Sequence, residues 1–255
     1  ALATALPQLQ GLSHLTLQGV LSDGITAPQL QAIGEGLSRL QQLLELRLQA
    51  SPPTFGMPVK CLAYMPTTLT LLQLDRLFVK RAVTQETAPR LEQLEILRRL
   101  YINTVHSFHP EMLWSMPMLQ HLQLEDAPIR GPTAAAEFMF VLSDLTQLQR
   151  LHLSNVLDEH SMLDVAQPYA ALTASSQLTY LFLNRLALPQ NTTSRIFPAD
   201  RPCHELVEVG MDRCNFKRKS DMEHLVRCCP NMRRLHVLHD PGASGGMDPE
   251  VRGQL

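Results

Sequence analysis

Leu119-Gln-His-Leu122-Gln-Leu124 is followed, 29 residues on, by Leu148-Gln-Arg-Leu151-His-Leu153. Both read L-x-x-L-x-L. The last two leucines alternate with polar residues, and a period of two is that of a strand with one buried face. One strand this short cannot bury its own leucines, so copies must stack on one another. The phrase recurs upstream as Leu12-Ser-His-Leu15-Thr-Leu17, Leu43-Leu-Glu-Leu46-Arg-Leu48, Leu69-Thr-Leu-Leu72-Gln-Leu74 and Leu97-Arg-Arg-Leu100-Tyr-Ile102. Downstream it returns as Leu178-Thr-Tyr-Leu181-Phe-Leu183, Leu206-Val-Glu-Val209-Gly-Met211 and Met232-Arg-Arg-Leu235-His-Val237. Counted from the central apolar residue, the spacings are 31, 26, 28, 22, 29, 30, 28 and 26, with a mean of 27.5.

Nine copies at this spacing resemble the leucine-rich repeat family, whose pattern is L-x-x-L-x-L-x-x-N/C-x-L. The resemblance covers roughly residues 6–240. It implies an α/β solenoid of about nine repeats, curved, with a parallel sheet on the concave face and helices and turns on the convex face. One column departs from the pattern. Five residues after the central position the family often has Asn; this chain has Val20, Ser51, Leu77, Val105, Ala127, Val156, Leu186, Cys214 and Asp240. Without an Asn ladder, apolar packing is expected to hold the turns together.

Composition agrees with one packing unit used repeatedly. Leucine supplies 46 of 255 residues, while aromatics make up 5%. With 45% hydrophobic and 18% charged residues the chain can bury a core. A net charge of −2 argues against duplex nucleic acid or an anionic membrane as the dominant partner. No apolar run reaches the roughly 18 residues needed to cross a bilayer. The N-terminal ALATALPQLQGLSHL lacks a basic n-region, so no signal peptide is expected there. Five cysteines, an odd number clustered late in the chain, suggest reduced thiols and an intracellular, cytoplasmic setting.

Between the strands, Thr26-Ala-Pro-Gln29 reads as a capping box with Pro28 in the first turn, and Ser220-Asp-Met-Glu223 as another. Residues 132–142 carry strong helix formers; residues 86–99 and 109–116 read similarly. Residues 51–58 and 188–194 read as loops, and Gly34-Glu-Gly36 as a break or close contact within a helix. The expected organisation is one repeat domain, 1–240, and a flexible tail, 241–255.

The Cys-Pro-Asn at 229–231, with Cys214 one repeat earlier, is similar to the cysteine-containing repeats of F-box substrate adaptors of ubiquitin ligases. The segments MPMLQHLQLEDAP and LTQLQRLHLSNV are similar to repeats of plant-type intracellular immune receptors. These resemblances imply a non-enzymatic protein-interaction module, a substrate adaptor or scaffold in a larger complex. The alternative they imply is the ligand-sensing repeat domain of an intracellular immune-type receptor.

No catalytic constellation emerges, and no cofactor is expected. Cys203, His204, Cys214, His224, Cys228, Cys229, His236 and His239 lie close together but lack paired C-x2-C or H-x3-H spacing, so metal binding is not expected. The Lys217-Arg-Lys219 run has no interleaved aromatics to stack bases. In the implied fold the residues between inward leucines line the concave face. There Arg99, Tyr101, His121, Arg150, His152, Tyr180 and Phe182 gather the residue types of interaction hot spots. They are the expected protein-binding residues. Trp114 is expected to pack within a helix.

Overall fold

The computed structural model describes residues 2–19, 26–49, 64–76, 93–104, 108–157, 167–189, 192–214 and 219–238. Nine five-residue strands form one parallel sheet in chain order. They are β1 (His14–Gln18), β2 (Glu45–Gln49), β3 (Leu71–Asp75), β4 (Arg99–Asn103), β5 (His121–Glu125), β6 (Arg150–Ser154), β7 (Tyr180–Asn184), β8 (Glu208–Asp212) and β9 (Arg234–Leu238). Helices are α1 (Leu2–Ala5), α2 (Ala27–Ser38), α3 (Pro132–Asp144), α4 (Thr193–Ile196) and α5 (Lys219–Cys228). Each strand is one copy of the phrase, so the α/β repeat solenoid of nine repeats is what the leucine spacing predicts. Contacts group the chain into two compact units, residues 1–128 and 129–255.

In the first unit Leu15 lies opposite Leu46, Leu46 opposite Leu72, Leu72 opposite Leu100, and Leu100 opposite Leu122. In the second, Leu151 lies opposite Leu181, Leu181 opposite Val209, and Val209 opposite Leu235. The alignment read from sequence is thus the hydrogen-bonded register. A one-residue slip would turn every leucine to the other face, so burial holds the register. From β2 to β8 the central residue and the one two places on are buried; at β1 and β9, Leu15, Leu235 and Val237 are only half-buried.

Two backbone devices repeat around the strands. Ahead of each strand a tight turn closes, as where Leu43 N–H donates to Leu40 O at 3.0 Å and Leu119 N–H to Met116 O at 3.0 Å. Behind the strand the fourth residue after the centre is left-handed: Gly19, Arg76, Thr104, Asp126, Asn155, Arg185 and Arg213, with φ between 46° and 67°. For a non-glycine residue this conformation costs about 1 kcal/mol. An N–H bonded to the next repeat's strand end offsets it. Arg76 N–H donates to Asn103 O at 2.8 Å, Thr104 to Glu125 O at 2.8 Å, Asn155 to Asn184 O at 2.9 Å, and Arg185 to Asp212 O at 2.9 Å. This main-chain ladder stitches turns where no Asn ladder exists. The next column is buried and apolar at Ala127, Val156 and Leu186. At Cys214 a thiol fills it and donates to Leu183 O at 3.4 Å, and burial pushes that thiol up to about 11.

Several local expectations are met. Gln29 Oε1 accepts from the Thr26 N–H at 2.9 Å, which starts α2 as a capping box does. Gly34 and Gly36 are sites of close approach: a Cβ at Gly34 would lie 2.6 Å from the Tyr64 ring, and one at Gly36 3.0 Å from Leu6. Residues 132–142 fall within α3.

Others are corrected. Ser220 is the second residue of α5 and so does not cap it. The described part of 86–99 is turn followed by the first residue of β4. Residues 109–116 contain only a 3-10 turn, Pro110–Leu113; repeats this short leave no length for a full helix. The stretch read as a loop at 188–194 ends in α4, which begins at Thr193. The expected loop at 51–58 and tail at 241–255 lie outside the described residues.

Candidate functional site

The seven expected binding residues all stand on the strand face that the buried leucines leave free, and they divide between the two units. Arg99, Tyr101 and His121 belong to β4 and β5; Arg150, His152, Tyr180 and Phe182 belong to β6 and β7. The structure therefore gives two sets, each with its own chemistry.

The first set is polar. Glu45 Oε1 accepts from the Arg99 guanidinium at 2.8 Å, an ion pair that reaches over β3 to join β2 and β4. Arg47 lies 3.5 Å and His14 3.9 Å from the same carboxylate. Gln123 donates to Glu125 Oε1 at 2.8 Å. Half-buried Tyr101 lies beside a hollow of about 350 Å³ whose wall includes Arg47, Gln73, Asp75, Asn103 and Glu125. Asp75 Oδ1 is enclosed with no hydrogen-bond partner among the described residues. Half-buried His121 completes the set on β5.

The second set is aromatic. The Arg150 guanidinium lies 4.5 Å above the centre of the Tyr180 ring. Tyr180 and Phe182 stack at 6.4 Å with their planes 12° apart. His152 meets Phe182 at 4.7 Å. These three rings are half-buried and Arg150 is exposed. The alternation of β7 puts Tyr180 and Phe182 on one face, and in-register pairing sets Arg150 beside Tyr180 and His152 beside Phe182. On the other side Phe182 is paired with Gly210. A Cβ there would come within 2.0 Å of Phe182 Cδ2, so the ring lies in the space left by the missing side chain. Beyond it Glu208 accepts from Arg234 and faces His236, both at 3.3 Å.

Trp114 departs from expectation: it is 61% exposed. It follows the Pro110–Leu113 turn, where Leu113 and Met116 already fill the interior. Exposed Ile96 and Met118 occupy one column of successive repeats, four residues before the strand centres. Sequence reading missed them; their place in a column that is not inward-facing is the signal that would have found them. Phe140, 63% exposed on α3, was likewise missed. Beside it a hollow of about 400 Å³ is lined by Met139, Pro168, Ala171, Ala174 and Arg201.

No helix among the described residues is long and apolar enough to cross a membrane. No family model matches this chain, and no curated protein does. Solved structures do. An internalin (InlF) of Listeria monocytogenes aligns over 91% of this chain and 62% of its own, at 16% identity and a TM-score of 0.51. Internalin C2 of the same strain aligns over 95% and 86%, at 15% identity and a TM-score of 0.47. A leucine-rich-repeat protein of Leptospira interrogans aligns over 92% and 74%, at 14% identity and a TM-score of 0.43. The chain spans 62% of the length of the first of these. That first likeness is one of fold, and with the nine parallel strands it makes the architecture a leucine-rich-repeat solenoid.

Proposed function

We propose that this chain is a non-enzymatic protein-interaction module, a substrate adaptor or scaffold within a multiprotein complex, working in an intracellular setting. A protein partner docks on the strand face. The observation that carries this reading is the cluster of Arg150, His152, Tyr180 and Phe182. Rings held by neighbours lose little freedom on binding, and Tyr and Arg in such clusters dominate interface energies. Arg99, Tyr101 and His121 form a second, polar docking set. The hollow beside Tyr101 favours the alternative, a ligand-sensing repeat domain of an immune-type receptor.

The test is quantitative capture by the full-length tagged protein, with partners identified by mass spectrometry and their affinities measured. Tyr180→Ala with Phe182→Ala is expected to weaken the principal partner about 1,000-fold, two hot-spot truncations of roughly 2 kcal/mol each acting together. Far-UV circular dichroism stays unchanged. Tyr101→Ala, examined separately, reports on the polar set. Unaltered capture by the double variant removes the aromatic cluster from the interface. Loss with Tyr101→Ala alone, with small-molecule binding by the wild type, selects the sensing alternative.

A further inference from the structure

We propose that Cys203 and Cys229 form a peroxide-reactive dithiol, in which Cys203 attacks the oxidant and Cys229 resolves the product to a disulfide between consecutive repeats. The repeat itself brings them together. Cys203 lies six residues before Val209 and Cys229 six before Leu235, and those centres are paired in register. Both open the tight turn ahead of their strand: Leu206 N–H donates to Cys203 O at 3.3 Å, and Met232 N–H to Cys229 O at 3.1 Å. The Cys203 N–H donates to Cys228 O at 2.8 Å, which ties the turns together beside the thiols. Earlier repeats mostly fill this column with apolar residues, among them Leu40, Leu94, Met116 and Leu145. Only the last two copies carry thiols, and they are adjacent.

The surroundings divide the roles. Cys203 is part-exposed, whereas Cys229 is buried. The Cys229 thiol donates a hydrogen bond to Cys203; with the Thr173 hydroxyl and the Arg201 charge it outweighs burial and lowers the Cys203 thiol to about 7. Cys229 is held protonated by the same bond, by burial and by the neighbouring Cys203 and Cys228. A part-exposed thiolate beside an arginine is the usual setting of a reactive cysteine. Cys228 is buried, with its sulfur 3.4 Å from His224 Nε2.

The chemistry balances with hydrogen peroxide as the oxidant. The Cys203 thiolate attacks one peroxide oxygen; an S–O bond forms, the O–O bond breaks, and the leaving hydroxide takes a proton to become water. Cys203 is then a sulfenic acid. Its negative charge, one cause of Cys229 staying protonated, has gone. Cys229 attacks the Cys203 sulfur; an S–S bond forms, the S–O bond breaks, and a second water leaves with the thiol proton. Two thiols are oxidised and one peroxide is reduced to two waters.

The test uses the full chain, treated with hydrogen peroxide and mapped by peptide mass spectrometry. The expected product has lost two hydrogens and joins the peptides of Cys203 and Cys229. Cys203→Ser abolishes it. Cys229→Ser leaves Cys203 as a sulfenic acid that dimedone traps, and Cys228→Ser leaves the product unchanged. Alkylation of Cys203 by iodoacetamide follows a rate–pH curve with its midpoint near 7. A cross-link to Cys228, first oxidation at Cys214, or no oxidation of Cys203 by peroxide overturns the proposal. So does an alkylation midpoint near the ordinary value of 9.

Discussion

Gln73, Tyr101 and Gln123 in the first unit and His152, Phe182 and Gly210 in the second occupy the same column of the repeat. In the first unit the face around this column is knitted by polar contacts, with Glu45 serving Arg99, Arg47 and His14. In the second, three rings and a guanidinium lean on one another, and a glycine leaves room for the largest of the three column residues, Phe182. The inward leucines of the two units are interchangeable, whereas the outward residues are not. Core packing therefore accounts for what the units share, and the outward side chains for where they differ. Exposed ion pairs contribute little to stability or affinity, whereas clustered aromatics lose water on docking and contribute much.

The largest effect should fall on what the units share. Leu122 and Leu181 fill the same slot, and both are fully enclosed. Leu122→Ala and Leu181→Ala should each cost about 3 kcal/mol through lost burial and the cavity left behind. Chemical denaturation followed by circular dichroism measures both. A difference of more than about 1.5 kcal/mol between them would break the equivalence of the two cores.

Next comes a device found in the second unit, the thiol stitch. Cys214 has its thiol raised from 9.0 to about 11 by burial. The folded state thus holds its proton more tightly than the unfolded chain does. The resulting stability is fully present below about pH 9 and is lost as pH rises from 9 through 11. A proton held roughly a hundredfold more tightly corresponds to about 2 to 3 kcal/mol. The difference in unfolding free energy between the wild type and Cys214→Ala should shrink by about that amount over this window. A difference that stays constant from pH 8 to 11 would show that Cys214 ionises as freely in the folded chain as in the unfolded one.

These predictions rest on features of unequal visibility in the sequence. Strand positions and register were legible because burial and the period of two act on the same residues: Leu46, Leu72, Leu100 and Leu122 align in sequence and in space. The turn behind each strand was not. Its left-handed residue is Arg76, Thr104 or Arg185 as readily as Gly19, because a main-chain hydrogen bond secures it and no residue type marks it. The connecting segments were legible only where they are long enough for a helix, as at residues 132–144; Pro110–Leu113 is too short to show a helical period, and Trp114 was misplaced with it. On the strand face, the position of every expected residue could be read, but not its partners. That Arg99 reaches across β3 to Glu45 depends on the spacing of three strands and the length of two side chains, which no pairwise pattern records.

The smallest effect separates the polar face from the aromatic one most directly. Glu45→Gln removes the carboxylate that Arg99, Arg47 and His14 share, while keeping its size. The side chain of Glu45 is 18% exposed and that of Arg99 39%, so solvent and salt screen the pair. The loss of stability should be below about 1 kcal/mol and should shrink further in high salt. The consequence for binding runs the other way. A guanidinium released from Glu45 can swing over the hollow beside Tyr101, and a partner that meets this face with acidic groups should bind more tightly to the variant. Binding through Arg150, Tyr180 and Phe182 should not change, since Glu45 belongs to the other unit. Measuring one partner against Glu45→Gln and against the Tyr180/Phe182 double variant therefore assigns it to a face. A partner whose affinity changes with both variants would draw on residues of both sets.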